Sequence, residues 1–158
     1  MQSFVHVMIL MLVAGLGTAL AERSNFSGEW KLNVDKSDFG MAPAVSNRTD
    51  KIVHKDPSLQ ITRAQTTAAG AGTSEYTCTT DGKDCTVSIT GGAVKLSGAA
   101  FKWVDDALTF DGKGTYNGGD LSIHEKWALS PDGKTLTIQR HLTVSVGEAD
   151  QTLVLEKQ

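Results

Sequence analysis

The sequence has no cluster of basic side chains and few positive charges overall. Lysine and arginine number 15 against 18 aspartate and glutamate residues, which gives a net charge of −3 and a pI near 5.7. No run of like charges is longer than two residues. Nucleic acids and anionic membrane surfaces are recognised by clustered lysine and arginine. We therefore expect no nucleic-acid partner.

The sequence motifs of several enzyme classes are also missing. The chain contains no nucleophile elbow, no phosphate-binding P-loop and no complete dinucleotide-binding glycine pattern. Its two cysteines lack the Cys-x-x-Cys spacing that activates a thiol. We therefore expect no cofactor, and we favour a protein that is not an enzyme.

The first 21 residues have the pattern of a secretory signal. An apolar run extends from Phe4 to Leu20 and ends in Ala19-Leu20-Ala21, the small-x-small pattern that signal peptidase cleaves. The run is shorter than the roughly 20 residues that span a bilayer. The pattern predicts a signal peptide over 1–21, export to the periplasm or the extracellular space, and one mature domain over 22–158 with no membrane span.

The mature chain shows no sustained helical periodicity. Apolar and polar residues alternate, and Gly and Asp-Gly signals separate the segments. Turns centred on Asp105-Asp106, on Gly118-Gly119, within residues 131–134 and within 147–150 keep the large apolar residues of successive strands on one face. The sequence therefore predicts an all-β, antiparallel up-and-down meander closed into a barrel of about 8–10 strands, because closure removes exposed edges.

Two of these turns make further register predictions. The turn on Gly118-Gly119 would place Phe110 opposite Trp127 and Gly112 opposite Glu125. The turn within residues 147–150 would place Val144 opposite Leu153.

The first mature strand carries a motif with a family resemblance. It reads Phe26-Ser27-Gly28-Glu29-Trp30-Lys31-Leu32, and its Gly-x-Trp core resembles the opening strand of the lipocalin and fatty-acid-binding-protein superfamily. With the Ser-Pro-Asp-Gly-Lys-Thr-Leu-Thr segment at 130–137, it is also similar to small exported bacterial proteins with a lipocalin-like domain. The resemblance implies a lipocalin-like barrel whose closed end is plugged by Trp30, with Gly28 allowing close backbone approach.

The resemblance does not extend to fatty-acid specificity. Fatty-acid-binding proteins carry an Arg-x-Tyr carboxylate anchor on their last strand. Here the last predicted strand reads Gln-Thr-Leu-Val-Leu-Glu-Lys at 151–157 and contains neither residue.

The two cysteines are expected to form a disulfide. A turn centred on Asp81-Gly82 places Cys78 directly opposite Cys85 on neighbouring strands. Export to an oxidising compartment favours their oxidation.

Charged residues are predicted inside the barrel. The register that aligns Leu129 with Leu136 also places Glu125 opposite Arg140 on the apolar face, and Arg63 lies at an inward position of its own strand. A buried unpaired charge is costly, so pairing is expected. The pair is either a structural ion pair or a polar anchor in a ligand pocket, where Arg140 would hold an acidic head group. Action of Glu125 as a general acid or base is a third possibility.

The same register places two histidines together on the outer face. His124 lies opposite His141, and two imidazoles across a strand pair can bind a transition metal. The pairing of these two strands puts no carboxylate or third ligand beside them, and the adjacent Lys126 opposes a cation. We therefore expect a solvated histidine pair and no metal site.

Residues 35–50 have no strand pattern and are expected to form a long loop across the open end. Long loops in compact domains are commonly functional. We expect Phe39, Met41 and Val45 to form part of a lid.

These observations favour an exported, monomeric, non-enzymatic binder of a small apolar or amphipathic molecule inside the barrel. The predicted ligand-binding residues are Arg140, Glu125, Arg63, Phe101, Trp103, Phe110, Trp127, Ile138 and Leu142. The alternative is a structural or protein-interaction barrel with a filled core and no small-molecule ligand. An internal void favours the first function, and a filled interior with an exposed apolar patch favours the second.

Overall fold

Eleven antiparallel strands form a single sheet in the structure, a computed structural model that describes residues 22–158. The predicted signal segment at 1–21 lies outside the described residues. The strands are β1 Gly28–Leu32, β2 Val45–Lys55, β3 Ser58–Thr67, β4 Gly70–Thr79, β5 Asp81–Asp84, β6 Thr86–Gly91, β7 Val94–Val104, β8 Ala107–Tyr116, β9 Gly119–Leu129, β10 Thr135–Val144 and β11 Gly147–Lys157. Their order in the sheet is β5-β7-β8-β9-β10-β11-β1-β2-β3-β4-β6. The predicted all-β meander barrel is confirmed. The short strand β5 was not predicted from the alternation of apolar and polar residues.

The barrel is nearly closed through the segment that contains β5 and β6. The first part of this segment, β5, pairs with β7. After β5, the Cys85 N–H donates to the Ala99 carbonyl of β7 at 2.7 Å. The second part of the segment, β6, pairs with β4. The segment therefore exchanges partners at Cys85, and the predicted Cys78–Cys85 disulfide is present at this point. Beyond it β6 and β7 are not neighbours in the order of the described strands, which leaves a seam.

In the observed hairpin between β8 and β9, the pairing register is shifted by two residues from the predicted one. The turn residues are Asn117 and Gly118, with φ of 49° and 84°. Asn-Gly is the residue pair that a two-residue hairpin turn with two positive φ angles requires. The prediction of Phe110 opposite Trp127 is therefore wrong, and Phe110 lies opposite Glu125.

The hairpin between β10 and β11 is also tighter than predicted. Its loop is Ser145-Val146, and Val144 pairs with Gly147 rather than with Leu153. The other two predicted turns give the observed register, with Phe101 opposite Phe110 and Leu129 opposite Leu136.

The second strand begins earlier than alternation predicted. β2 starts at Val45, so the loop that follows β1 is shorter than the predicted stretch of 35–50. The loop lies beside β11 and is joined to it by an isolated antiparallel bridge between Asp38 and Thr152. The first half of the strand was not predicted because its inward positions include Arg48 and Asp50, which are charged and buried.

The inward-facing side chains form three layers along the barrel axis. β9 shows the order, since Trp127 lies in an apolar core at the closed end, Glu125 in a central polar layer, and Ile123 towards the open end. On β10 the same layers contain Ile138, Arg140 and Leu142. The pleat aligns these layers because residues opposite each other share a face.

The closed end is built around the residues that the family motif indicated. Trp30 is 1% exposed, and its indole Nε1 donates to the Phe26 carbonyl at 2.9 Å. Gly28 has a φ of 144°, and a Cβ there would meet the side chain of Lys157, whose ammonium lies 5.4 Å from the Trp30 ring centroid. The close approach at Gly28 is therefore made by a side chain rather than by backbone.

No helix in residues 22–158 has the length and apolar character needed to cross a bilayer.

Candidate ligand-binding site

The open half of the barrel contains a cavity of about 470 Å³. Its walls are largely apolar because many inward positions beyond the polar layer are aliphatic or aromatic, while β3 and β4 contribute Gln65, Thr67 and Ser74. The wall residues include Tyr76, Ile89, Leu96, Leu121, Ile123 and Leu142. The seam between β6 and β7 borders the same cavity through Ile89 and Leu96.

The floor of the cavity is the polar layer, and Asp50 is its most strongly bonded member. Arg48 donates to the two carboxylate oxygens at 2.9 and 2.6 Å, and Arg63 donates to the same two oxygens at 3.0 and 3.1 Å. Two guanidinium groups thus hold a single carboxylate that is 1% exposed. Charge-assisted bonds of this paired geometry are stronger than neutral hydrogen bonds.

The second ion pair of the floor is the one predicted from the hairpin register. Arg140 donates from Nε to Oε1 of Glu125 at 2.6 Å, and the Trp127 indole donates to Oε2 at 2.7 Å. Arg140 also donates to Gln151 at 3.4 Å, and Gln151 in turn donates to the Phe39 carbonyl at 3.2 Å. The loop after β1 is therefore connected to the floor.

The arginine side chains keep both floor carboxylates ionised. Burial alone would raise the pKa of Asp50, but the charges of Arg48 and Arg63 and their hydrogen bonds outweigh burial and lower it. Burial likewise opposes ionisation of Glu125, whose pKa is nevertheless lowered by the charge of Arg140 and then by those of Arg63 and Arg48. The charges of Arg48 and Arg63, which bond Asp50, therefore also act on Glu125 across the floor.

The floor carries an uncompensated positive charge. Three guanidinium groups face two carboxylates, so this group of five residues has a net charge of +1. Arg48 is fully buried, and its Nη1 has no hydrogen-bond partner among the described residues. Burial and the neighbouring charge of Arg63 lower the pKa of Arg48.

Five of the nine predicted ligand-binding residues line the cavity. They are Arg140, Glu125, Arg63, Phe110 and Leu142. The guanidinium of Arg63 lies over the Tyr76 ring, 5.5 Å from its centroid, which gives the floor an aromatic neighbour.

The other four predicted residues lie below the polar layer. Phe101, Trp127 and Ile138 fill the closed half, at exposures of 2% or less. Trp103 lies at the closed end, where its indole donates to Asp56 at 2.8 Å. They are not part of the cavity wall, because the polar layer separates the filled half from the open one.

Arg48 and Asp50 are the floor residues that sequence reasoning missed. The available signal was their two-residue spacing with Ile52 and His54, which continues the inward positions of β2. When every second residue of a segment is either charged or apolar, the pattern does not indicate a buried face unless partners for the charges are known.

Three residues of the predicted lid have different positions. Met41 and Val45 line the cavity, and Phe39 packs against the core. Met41 and Val146 are each 95% exposed, and both border the mouth of the cavity.

No protein-family model matches the chain, and the search of curated proteins found no match. Among solved structures, the chain is similar to the zebrafish ileal bile acid-binding protein complexed with cholic acid. The sequence identity is 10%, the match covers 84% of this chain and 98% of that chain, and the TM-score is 0.39. Similarity at this level does not assign the chain to a family.

Proposed function

We propose that the protein is an exported, non-enzymatic binder of a small, largely apolar molecule that carries an acidic group. The observation that supports the proposal is a cavity of about 470 Å³ whose apolar walls end on a charged floor. Ligand sites are commonly concave and mainly apolar, with volumes of roughly 300–1,000 Å³ and a few polar groups that fix orientation.

The charge of the floor favours an acidic ligand. Arg63 and Arg140 border the cavity, and the five charged residues of the floor have one positive charge in excess. An uncompensated buried charge is costly, so an anionic group that enters the floor lowers this cost. Guanidinium groups suit carboxylates and related anions because their donors match the spacing of two oxygens.

The proposed export is supported by the disulfide and by the pattern at 1–21. Disulfides persist in oxidising compartments and are rare in the cytosol. The Cys78–Cys85 bond is therefore consistent with a periplasmic or extracellular protein.

The alternative, a filled structural barrel, is less well supported. The closed half is filled by side chains such as Trp127 and Ile138, but the open half is not. A protein that needed only a rigid scaffold would gain stability by filling this space, since cavities cost dispersion contacts.

The proposal can be tested by calorimetric titration with two probes of equal chain length, dodecanoate and dodecanol. We expect dodecanoate to bind with one site per chain and dodecanol to bind at least about tenfold more weakly, a difference of about 1.4 kcal/mol. Arg140→Ala should remove this preference for the acid. Native mass spectrometry of gently purified protein would identify a resident ligand. Equal affinity for the two probes would contradict the acidic-ligand proposal, and binding of neither would favour the filled-scaffold alternative.

A further inference from the structure

Four side chains form a row across the outer face of the barrel, on the side away from the cavity. Asp111 on β8 lies opposite His124 on β9, His124 lies opposite His141 on β10, and His141 lies opposite Asp150 on β11. We call these four residues the histidine row. Its order is carboxylate, imidazole, imidazole, carboxylate, and it crosses four neighbouring strands.

Each imidazole in the histidine row is held by the carboxylate next to it. Nδ1 of His124 lies 2.7 Å from Asp111, and Nδ1 of His141 lies 2.7 Å from Asp150. A carboxylate at this distance accepts a hydrogen bond from Nδ1–H, which fixes the neutral tautomer with a lone pair on Nε2. Histidines that ligate metals are commonly oriented by a carboxylate in this way.

The two carboxylates hold the rings in complementary directions. Asp111 and Asp150 lie on opposite sides of the histidine pair, so the Nδ1 edges of the two rings are directed away from each other. Each Nδ1 is bonded to its aspartate, so Nε2 is the ring nitrogen that a metal ion would contact. Residues directly opposite in an antiparallel pair have Cβ atoms about 4.5–5.5 Å apart, and a metal bound to imidazole lies about 2.0–2.1 Å from nitrogen. Rings on directly opposite residues are therefore close enough to share one ion.

Three carboxylates lie beside the imidazoles of the histidine row. Glu148 places a carboxylate oxygen 3.9 Å from Nε2 of His141, and the Thr143 hydroxyl lies 3.4 Å from the same nitrogen. Asp111 and Asp150 are the other two carboxylates, while Lys102 lies 3.9 Å from Asp111, and Lys113 and Lys126 flank Asp111 and His124 on the outer face of their strands. The side chains of His124 and His141 are 56% and 42% exposed, so an ion from solution can reach them.

We propose that His124 and His141 form a binding site for a divalent transition-metal ion, with Asp111 and Asp150 as positioning residues. No group of three or more histidine, cysteine, aspartate or glutamate side chains in residues 22–158 is arranged to hold a metal ion. The protein therefore supplies two nitrogen ligands, and water completes the coordination. Imidazole ligands suit Zn²⁺, Ni²⁺ and Cu²⁺, and the affinity of such sites is highest for Cu²⁺.

The sequence pattern did not reveal this arrangement because the register of the β8–β9 hairpin was predicted wrongly. The predicted turn on Gly118-Gly119 would place Lys113, rather than Asp111, opposite His124. The observed turns bring both aspartates beside the histidines.

The proposal is tested by calorimetric titration of Ni²⁺ and Cu²⁺ into tag-free protein. We expect one ion per chain, with Cu²⁺ bound more tightly than Ni²⁺. His124→Ala and His141→Ala should each weaken binding at least about tenfold, and Asp111→Asn and Asp150→Asn should weaken it by about 10–100-fold. Gln139→Ala, an exposed substitution on the same strand as His141, is the matched control and should bind as the wild type does.

A second measurement localises the ion. In proton NMR spectra, substoichiometric Cu²⁺ should broaden the ring signals of His124 and His141 before those of buried His54. The proposal is overturned if the wild type binds neither ion, or if a double variant without both histidines binds with unchanged affinity. Binding that is lost with the histidines but unaffected by either asparagine variant would overturn the positioning roles of Asp111 and Asp150. Because the substituted side chains are on the surface, unchanged thermal unfolding should accompany every variant.

Discussion

Arg140 and Glu125 form a buried ion pair at the floor of the cavity and belong to the proposed binding site. The side chain of Glu125 is 2% exposed, and its two oxygens are bonded by Arg140 and Trp127. A carboxylate buried in this way depends on its cationic partner, because desolvation is offset by pairing. Substitutions at the floor should therefore affect stability as well as the proposed ligand binding, and the two effects have to be measured separately.

Truncation of Arg140 should destabilise the protein strongly. Arg140→Ala leaves the Glu125 carboxylate buried without its cation, and we expect a loss of about 3–5 kcal/mol in the free energy of unfolding. Urea denaturation measures the change. The double variant Arg140→Met, Glu125→Leu removes both charges, so it should be more stable than Arg140→Ala. A double variant that is less stable than the single one would show that an unpaired charge is not the cause.

The ionised floor should also make stability depend on pH in the acid range. The pKa values of Asp50 and Glu125 lie below their ordinary values of 3.8 and 4.5, mainly because arginine charges outweigh burial. The folded state therefore binds protons less readily than the unfolded state. The resulting stabilisation is fully present above about pH 4.5 and is lost as the pH falls towards the folded-state values.

Urea denaturation at several pH values tests this prediction. The free energy of unfolding of the wild type should fall as the pH decreases below about 4.5. Glu125→Gln removes one of the two coupled carboxylates and should give a smaller decrease over the same range. An unchanged pH dependence in this variant would exclude Glu125 as a source of the effect.

At the scale of the strand, the segment that contains β5 and β6 is the least supported part of the barrel. β5 is four residues long, and β6 pairs with β4 on one side while its other side faces the seam. The Cys78–Cys85 disulfide lies where the segment changes partner from β7 to β4. We infer that the disulfide holds the segment against β4, while the hydrogen bond from Cys85 N–H to the Ala99 carbonyl joins it to β7.

Removal of the disulfide should weaken the barrel at this seam. The cysteines are separated by seven residues, so the closed loop is short and the expected loss for Cys78→Ser, Cys85→Ser is about 2 kcal/mol. Hydrogen exchange should increase most in β6, since its stability depends on one hydrogen-bonded neighbour. Exchange that rises equally in β6 and in β9, which pairs on both sides, would contradict a local role for the disulfide.

The hairpins show how much of the fold could be predicted from sequence. Two of the four predicted turns in the second half were displaced, yet every displacement was an even number of residues. Side chains alternate with a period of two, so an even shift keeps each residue on its face. Phe110 was therefore assigned correctly to the interior although its partner was wrong.

The register itself depended on information that alternation does not contain. Asn117-Gly118 determines one turn through two positive φ angles, and this local signal was available in the sequence. The inward position of Arg48 and Asp50 was not available in the same way, because their burial depends on Arg63 from the next strand. The floor could therefore be predicted only in part, through Glu125 and Arg140.

The two halves of the barrel differ in packing, and the proposed binding function belongs to only one of them. The closed half is filled by aromatic and aliphatic side chains, and most of the buried apolar residues belong to it. Trp30 and Trp127 are among them. The open half keeps a cavity above a charged floor. Because the two halves share every long strand but are separated by the polar layer, the cavity can be altered without disturbing the core below it.

Filling the cavity should therefore abolish binding and leave the fold intact. Ile123 and Leu142 are opposite each other on the inner face, so Ile123→Trp, Leu142→Trp places two indoles across the cavity. Ser122 and Thr143 are opposite each other on the outer face of the same strands, and Ser122→Trp, Thr143→Trp is the matched control.

In a calorimetric titration with dodecanoate, we expect the inner double variant to bind at least about tenfold more weakly than the wild type, a difference of about 1.4 kcal/mol. The outer variant should bind as the wild type does. The unfolding temperature of both variants should lie within a few degrees of that of the wild type. In the inner variant, added apolar bulk in an open cavity replaces solvent rather than packed atoms, and in the outer variant the tryptophans face solvent. Equal loss in both variants would mean that tryptophan disturbs the strands themselves. Full binding by the inner variant would place the ligand outside the barrel, where the charged floor could not select it.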